Sequence, residues 1–427
     1  MENTSKIKYV VAQPLIGGMP LGFETAFETE PAAIITAGFT QDMHYINYQN
    51  NIKNKNIPVI NMESDYETFK SKEDEALYNL HCNNIDVLMH VAACAGLSQM
   101  NSCNEGSKAR GCADNDQNQN MYNLTRLGMR MKAKVVAFEN APTAYTKSGE
   151  AVVNKLRDIA DEYNYSTHLY TTDTLFHGTP QSRKRTFIMF YKDKITPLFN
   201  YEDKGPNTKD FIELQQYLKL IPKDSLHSND YILDKNSALD NLYSFILEYT
   251  NKNTFLDAIN VLDSEQSRST WTSAQLTEKI GFEKAIDYLK NKNLDKDAAI
   301  VQHYKNKKEQ GKSFWDNTSI LANRGLFTNA IVGKSLTAMI NPTAERAYSI
   351  RELLWLMGMP HDFELQQFKK NWNHICQNVP VKTATFIGNN IKSYLNDELQ
   401  MDNSDFVKQS NFTQRVDEKS SKVVDNW

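Results

Sequence analysis

An open α/β fold, a mainly parallel sheet covered by helices, is what this sequence predicts. Three observations carry the prediction. Apolar runs recur through the first half of the chain: KYVVAQPLI from Lys8, PAAIITA, IPVINM, IDVLM from Ile85 and KVVAFEN. Segments of helical period stand among them. MYNLTRLGMRM from Met121 is one; EAVVNKLRDIADEYN is another, with Val152, Leu156, Ile159 and Ala160 on one face. Third, turn residues close the runs, as Gly17 and Gly18 do after the first.

The remaining elements follow in order. STHLYTTDT and RTFIMFYK read as later strands of the same unit, which takes in residues 1–195. The pattern changes near Pro197. Residues 200–330 are rich in Lys, Asn and Asp around short apolar clusters such as YSFILEYTN and FLDAINVL. A second, smaller and partly helical domain is expected over 196–334. Order returns in a segment, 335–400, that rejoins the first unit: YSIRELLWLMGMP reads as a helix stopped by Pro360. VKTATFIGNNIKSYL reads as a turn leading into a helix. From Met401 the composition is polar, and residues 401–427 are expected to form a loose tail.

Bulk numbers narrow the class of function only a little. The chain has 427 residues, with Lys plus Arg 48 against Asp plus Glu 52, for a net charge of −4. That balance neither announces nor excludes a nucleic-acid partner, because the distribution of charge matters more than its sum. The five cysteines are Cys82, Cys94, Cys103, Cys112 and Cys376. With no apolar segment after MENTSKIK and no run long enough to span a membrane, a reducing cytoplasm is the expected setting. No C-x-x-C pair or His/Cys spacing suggests a metal site.

Ligands of an open parallel sheet gather at the carboxyl ends of its strands. Several polar groups fall at such ends: Gly17-Gly18 after the first strand, Cys94 after the fourth, and Glu139-Asn140 after the fifth. The stretch HGTPQSRKR, with Gln181, Arg183 and Arg185, stands just before a later strand. Their order resembles that of the DNA (cytosine-5)-methyltransferase family, over most of residues 8–194 and again over about 335–395. The family's glycine block resembles QPLIGGMPLGFE, and its Pro-Cys block AACAGLS, with Asp86 upstream. Its Glu-Asn block is FENAP, its Gln-x-Arg-x-Arg block is QSRKR, and its closing Gly-Asn block is IGNNI, with Gly388 and Asn389. The wording of the first two blocks is similar to that of members encoded by bacteriophages.

The resemblance implies a Rossmann-like catalytic unit, an inserted target-recognition domain over the middle region, and methylation of carbon 5 of cytosine in double-stranded DNA by a monomer. Cytosine carbon 5 is a poor nucleophile. A thiolate adding to carbon 6 makes carbon 5 reactive, so that one hard step becomes two easier ones. Cys94 would be that nucleophile. Glu139 would hydrogen-bond ring nitrogen 3 and the exocyclic amine, Arg185 would hold the ring carbonyl, and Arg183 would support the cysteine loop or a phosphate. The base must leave the duplex stack to be reached. Ser98, Lys108 and Arg110 lie in a polar segment expected to close over DNA; Asn140 and Gln181 complete the expected substrate contacts. The donor would be S-adenosylmethionine, held by Ile16, Gly17, Gly18, Asp65 and Asn389.

The chain also departs from the family. Gln13-Pro14-Leu15-Ile16-Gly17 stands where Phe-x-Gly-x-Gly is usual, Val11 replaces an acidic residue, and no acid is obvious after the second strand. Ala93 and Ala95 flank Cys94 in place of proline and glutamine. Two alternatives therefore accompany the main reading: a catalytically inactive DNA-binding relative, and the same chemistry with a modified donor or another pyrimidine. WTSAQL and SFWDNTS are aromatic-polar patches that either anchor a core or touch DNA.

Overall fold

The computed structural model describes residues 6–37, 43–62, 84–92, 96–97, 111–232, 241–265, 270–311, 321–323, 326–333, 339–341, 344, 346–411, 414–417 and 422–425. Cys94, Asp65, Ser98, Lys108, Arg110 and the SFWDNTS patch lie outside these residues.

Eight strands form the central sheet: β1 (Tyr9–Ala12), β2 (Ala33–Ala37), β3 (Val59–Met62), β4 (Val87–His90), β5 (Val135–Asn140), β6 (Tyr165–Asp173), β7 (Lys184–Lys192) and β8 (Phe406–Ser410). In space they run β3-β2-β1-β4-β5-β7-β6-β8. All neighbours are parallel except β7, which is antiparallel to both β5 and β6. The predicted fold class is thus the observed one. Strand order reverses between β1 and β4, so the carboxyl ends of these two strands open the crevice in which doubly wound sheets bind ligands.

The apolar runs are continuous because both faces of the sheet are covered. Along β1, Val10 and Ala12 join one core with Leu124, Leu127, Val152 and Leu156, from α3 (Gln119–Arg130) and α4 (Glu150–Glu162). Tyr9 and Val11 face the other core, with Phe23 and Phe27 of α1 (Gly18–Phe27) and Ile387 and Ile391 of α11 (Val381–Leu395). The expected face of α4, Val152, Leu156, Ile159 and Ala160, is the buried one. The turn expected at the start of VKTATFIGNNIKSYL is instead helix throughout. Pro380 at its N-cap, φ −60°, already has the dihedral a helix start tolerates.

Residues 241–309 hold helices α5 (Asn241–Thr250), α6 (Phe255–Leu262), α7 (Ser273–Ile280), α8 (Phe282–Asn291) and α9 (Asp295–Glu309). They enclose a core of their own, including Phe245, Ile259, Leu276, Leu289 and Val301. Trp271 of the WTSAQL patch belongs to that core; it is 4% exposed and its Nε1 donates to Asp263 at 3.1 Å. That patch is therefore an anchor, not a free surface. Leu214, Tyr217 and Leu218 pack elsewhere, with Ile16, Ile331 and residues of α10 (Ile350–Leu356).

The stretch from Met401 departs from the loose tail expected of it. Met401–Asp402 pairs antiparallel with Thr196–Pro197, and β8 adds to the sheet beside β6. A half-exposed edge strand can be polar, and β6 without it would leave its backbone edge open. Gln409 of β8 fixes the join, accepting from the Phe199 N–H and donating to its carbonyl, both at 3.0 Å. No helix among the described residues is long and apolar enough to cross a membrane.

Candidate active site

Four carboxyl-end segments meet around the crevice: the turn after β1, the ends of β4 and β5, and the turn that enters β7. The turn after β1 is bent by three positive φ values, Gln13 at 48°, Leu15 at 52° and Gly17 at 104°. Left-handed backbone costs a non-glycine residue about 1–2 kcal/mol. Leu15 thus holds the conformation that glycine would take there, so the loop keeps its shape although the glycine pattern is degenerate. Gly17 has a second reason to be glycine: an added Cβ would lie 2.6 Å from the Tyr48 ring of α2 (Met43–Asn51).

Gly18 serves a different purpose from the one expected. Its N–H donates to Asn378 Oδ1 at 2.9 Å, and an added Cβ would lie 2.0 Å from the Val379 carbonyl oxygen. Gly18 brings α1 against the segment before α11, and its amide is already engaged within the chain. Ile16, expected at the donor, is fully buried in the core around α10. Asn389 lies on the exposed face of α11. It is Asn378, overlooked in the sequence, that reaches the glycine turn. Gly388 of the same IGNNI block is a packing glycine, where a Cβ would stand 2.7 Å from that of Ala26.

At the end of β2, Thr36 is 3% exposed and its hydroxyl donates to Asn61 Oδ1 of β3 at 3.1 Å. This uncharged pair occupies strand ends where an acid was sought. Asn61 is exposed, and its amide nitrogen has no protein partner among the described residues.

The β4 strand ends at His90, four residues before Cys94. His90 is fully buried, stacked on Phe138 at 4.4 Å, and burial pushes its imidazole down to about 3. It is neutral and belongs to the core. Beyond Cys94 the Gly96 carbonyl accepts from the Gly111 N–H at 2.8 Å, which joins the two ends of the polar segment. Asp86 stands at the opposite, amino end of β4, where it accepts from the Lys8 N–H and pairs with Lys134.

Glu139 and Arg185 are brought together. Glu139 is next to last in β5, 5% exposed, and its Oε1 lies 2.6 Å from Arg185 Nε of β7. Burial raises its carboxyl above the usual carboxylate range, against the opposing pull of Arg185 and then Arg183. Among the described residues no side chain donates to Oε2. A protonated acid and a fixed guanidinium can together donate to a ring nitrogen and a carbonyl oxygen.

The other residues of the two blocks turn inward. Asn140 is fully buried, and its Oδ1 accepts from the Ala141 N–H at 2.8 Å. Gln181 is also fully buried: it donates to the Leu356 carbonyl at 2.8 Å and accepts from the Ile331 N–H at 3.1 Å. Neither is exposed to a substrate, contrary to expectation. Arg183, 2% exposed, donates to the carbonyls of Ile331, Cys376 and Asn378 at 3.0, 2.7 and 3.2 Å. Buried among backbone carbonyls, it has no path to a DNA phosphate. A buried cation needs such acceptors, and here they tie two distant segments, at Ile331 and at Cys376–Asn378, to the start of β7.

Comparison with known proteins agrees with this architecture. The family model of C-5 cytosine-specific DNA methylases matches residues 15–393. A solved protein named as a DNA modification methyltransferase encoded within a prophage (E. coli) superposes with TM-score 0.53 at 14% identity, covering 91% of this chain and 99% of that one. The methyltransferase EhMeth of Entamoeba histolytica does so with TM-score 0.50 at 13% identity, covering 92% and 99%. A protein of Acanthamoeba polyphaga mimivirus named as an ATP-dependent RNA helicase is 27% identical over 112 residues, 26% of this chain. The matched stretch spans 9% of that protein's length.

Proposed function

Because the chain belongs to the C-5 cytosine-specific DNA methylase family, we propose that it methylates carbon 5 of cytosine in double-stranded DNA. The observation that carries the reading is the buried Glu139–Arg185 pair beside the β1/β4 crevice, with the acid held above its ordinary range. An inactive relative would gain nothing from burying a carboxyl group in this way, since burial of an ionisable group costs stability.

S-adenosylmethionine, the methyl donor of this family, supplies the methyl group when bound. The bend of Gln13–Gly17 fits it, together with the amide of Asn61 at the end of β3, which has no partner among the described residues. Gly17 would allow close backbone approach, and Asn61 would donate to a hydroxyl or ring acceptor of the adenosyl end. Asp65 is a further candidate there from the sequence.

The thiolate of Cys94 adds to carbon 6 of a base turned out of the stack, which makes carbon 5 nucleophilic; once carbon 5 carries the methyl group, its proton passes to a base and the thiolate is expelled from carbon 6, restoring the ring double bond. Glu139, protonated, donates from Oε2 to ring nitrogen 3 and disperses the electron density that the addition places there. Arg185 pairs with Oε1 through Nε, donates from Nη1 to the Lys184 carbonyl at 2.6 Å and presents Nη2 to the ring carbonyl. Arg183 and Gln181 act from within by fixing the start of β7. Ser98, Lys108 and Arg110 contact the DNA backbone, and the helical unit of residues 241–309 reads the target as part of a monomeric enzyme.

Incubation with tritiated S-adenosylmethionine and duplex DNA, followed by mass analysis of the nucleosides, tests the reading. 5-Methylcytosine is the expected product. Absence of any modified cytosine on DNA of mixed sequence, with donor binding intact by calorimetry, would overturn it.

A further inference from the structure

We propose that Asp173 is a positioning residue of this site: its carboxylate fixes the turn that aims Arg185 at Glu139. The inference rests on the reading of Glu139 as the acid of the reaction. Asp173 ends β6 and is 1% exposed. Its Oδ1 accepts the N–H groups of Leu175 at 3.1 Å and Arg183 at 2.7 Å, and its Oδ2 accepts the Ser182 hydroxyl at 2.8 Å. All three donors belong to the turn between β6 and β7. Among the described residues Asp173 forms no ion pair, so a buried carboxyl group is spent on the turn alone. Removing such a group would ordinarily be favourable unless its hydrogen bonds matter.

The geometry says what they matter for. Asp173 holds the Arg183 N–H, while the N–H and hydroxyl of Thr174 hold the Arg183 carbonyl at 3.1 and 3.2 Å. The peptide before β7 is therefore fixed from both sides. Asp173 lies opposite Lys184, the outermost pair of the β6–β7 ladder, and Thr172 lies opposite Arg185. Arg185 is one pair inside the pinned end. Loosening that end frees the residue whose Nε stands 2.6 Å from Glu139 Oε1.

The charges acting on Glu139 among the described residues are Arg185 on β7 and Arg183 in the turn just before it, the turn that Asp173 anchors. Burial raises the Asp173 carboxyl above its usual range, against the hydrogen bonds from Leu175, Ser182 and Arg183 and the charge of Lys184, which favour the carboxylate. Both arginines pull the Glu139 carboxyl downward against burial. Releasing Arg185 must therefore move the titration of Glu139 to higher pH. Loss of stability alone would not.

The test is a carbon-13 carboxyl NMR titration of the full chain, with Glu139 assigned by its missing signal in Glu139→Gln, run beside single-turnover methyl transfer. In Asp173→Ala, Glu139 titrates at higher pH than in the wild type and transfer slows by up to about 100-fold, the order expected for a misaimed catalytic group. Asp173→Asn restores both, because its carbonyl oxygen accepts the same two N–H bonds. Ser182→Ala, which removes one bond and leaves the carboxylate, moves the titration in the same direction by less. If Asp173→Ala does not fold, Ser182→Ala and Asp173→Asn carry the test. An unmoved Glu139 titration in Asp173→Ala and Ser182→Ala would overturn the inference. A wild-type protein that transfers no methyl group while the titration moves as stated would sink the functional reading and uphold the positioning role.

Discussion

Gly18→Ala probes the joint between the glycine turn and the segment before α11. The new methyl group would stand 2.0 Å from the Val379 carbonyl oxygen and 2.4 Å from the Asn378 amide nitrogen. A backbone oxygen cannot swing aside, so α1 must move. Overpacking of this kind together with loss of the buried Gly18–Asn378 bond costs roughly 2–5 kcal/mol. The better helix propensity of alanine offsets at most about 1 kcal/mol of this. Against a total stability of about 5–15 kcal/mol, the loss is large. Urea unfolding should show a lower midpoint at an unchanged slope. Affinity for S-adenosylmethionine should fall too, because the displaced turn lines the crevice. An unfolding free energy within about 0.5 kcal/mol of wild type, the range of a neutral surface change, would refute the packing argument.

Other outcomes follow from the same geometry. Asn378→Ala should weaken donor binding and stability together, while Asn389→Ala on the exposed face of α11 leaves both unchanged; calorimetry and urea melts compare them. Arg183→Met leaves three buried carbonyls without their donor and should cost about 3–5 kcal/mol by denaturant unfolding. The raised carboxyl of Glu139 gives stability and activity the same sign of pH dependence. The stability contribution is full below the ordinary carboxylate pKa of the unfolded chain and is lost as pH rises from there to the raised folded-state pKa, whereas activity declines as pH rises through the folded-state pKa itself. Glu139→Gln should flatten that alkaline decline in stability and reduce methyl transfer about 100-fold or more, read from stability–pH and rate–pH profiles.

The sheet was legible because its strands are buried on both faces, so YVVA, VLMH and VVAFEN declare themselves as unbroken apolar runs. Glu139 and Arg185 were legible because each ends or begins such a strand. The function of Asn378 was not. Its contact spans 360 residues of sequence, whereas IGNNI offered a closer match in words. Gln181 and Arg183 sit in a full motif match, yet their side chains bond Ile331 and Leu356, partners that no local pattern names. Strand β8 was hidden by its position: an edge strand that is half exposed on both faces has no apolar period. Leu15 conceals a left-handed turn because the residue type no longer reports the backbone it adopts.

Covalent trapping is the most direct measurement of the central claim, that Cys94 attacks a flipped cytosine held by Glu139 and Arg185. The protein, S-adenosylmethionine and duplex DNA of mixed sequence carrying 5-fluorocytosine are incubated and run on a denaturing gel. The account predicts a shifted protein–DNA band that disappears in Cys94→Ala and weakens in Glu139→Gln. A band that persists in Cys94→Ala, or none at all on DNA the protein is shown to bind with its donor, would contradict it.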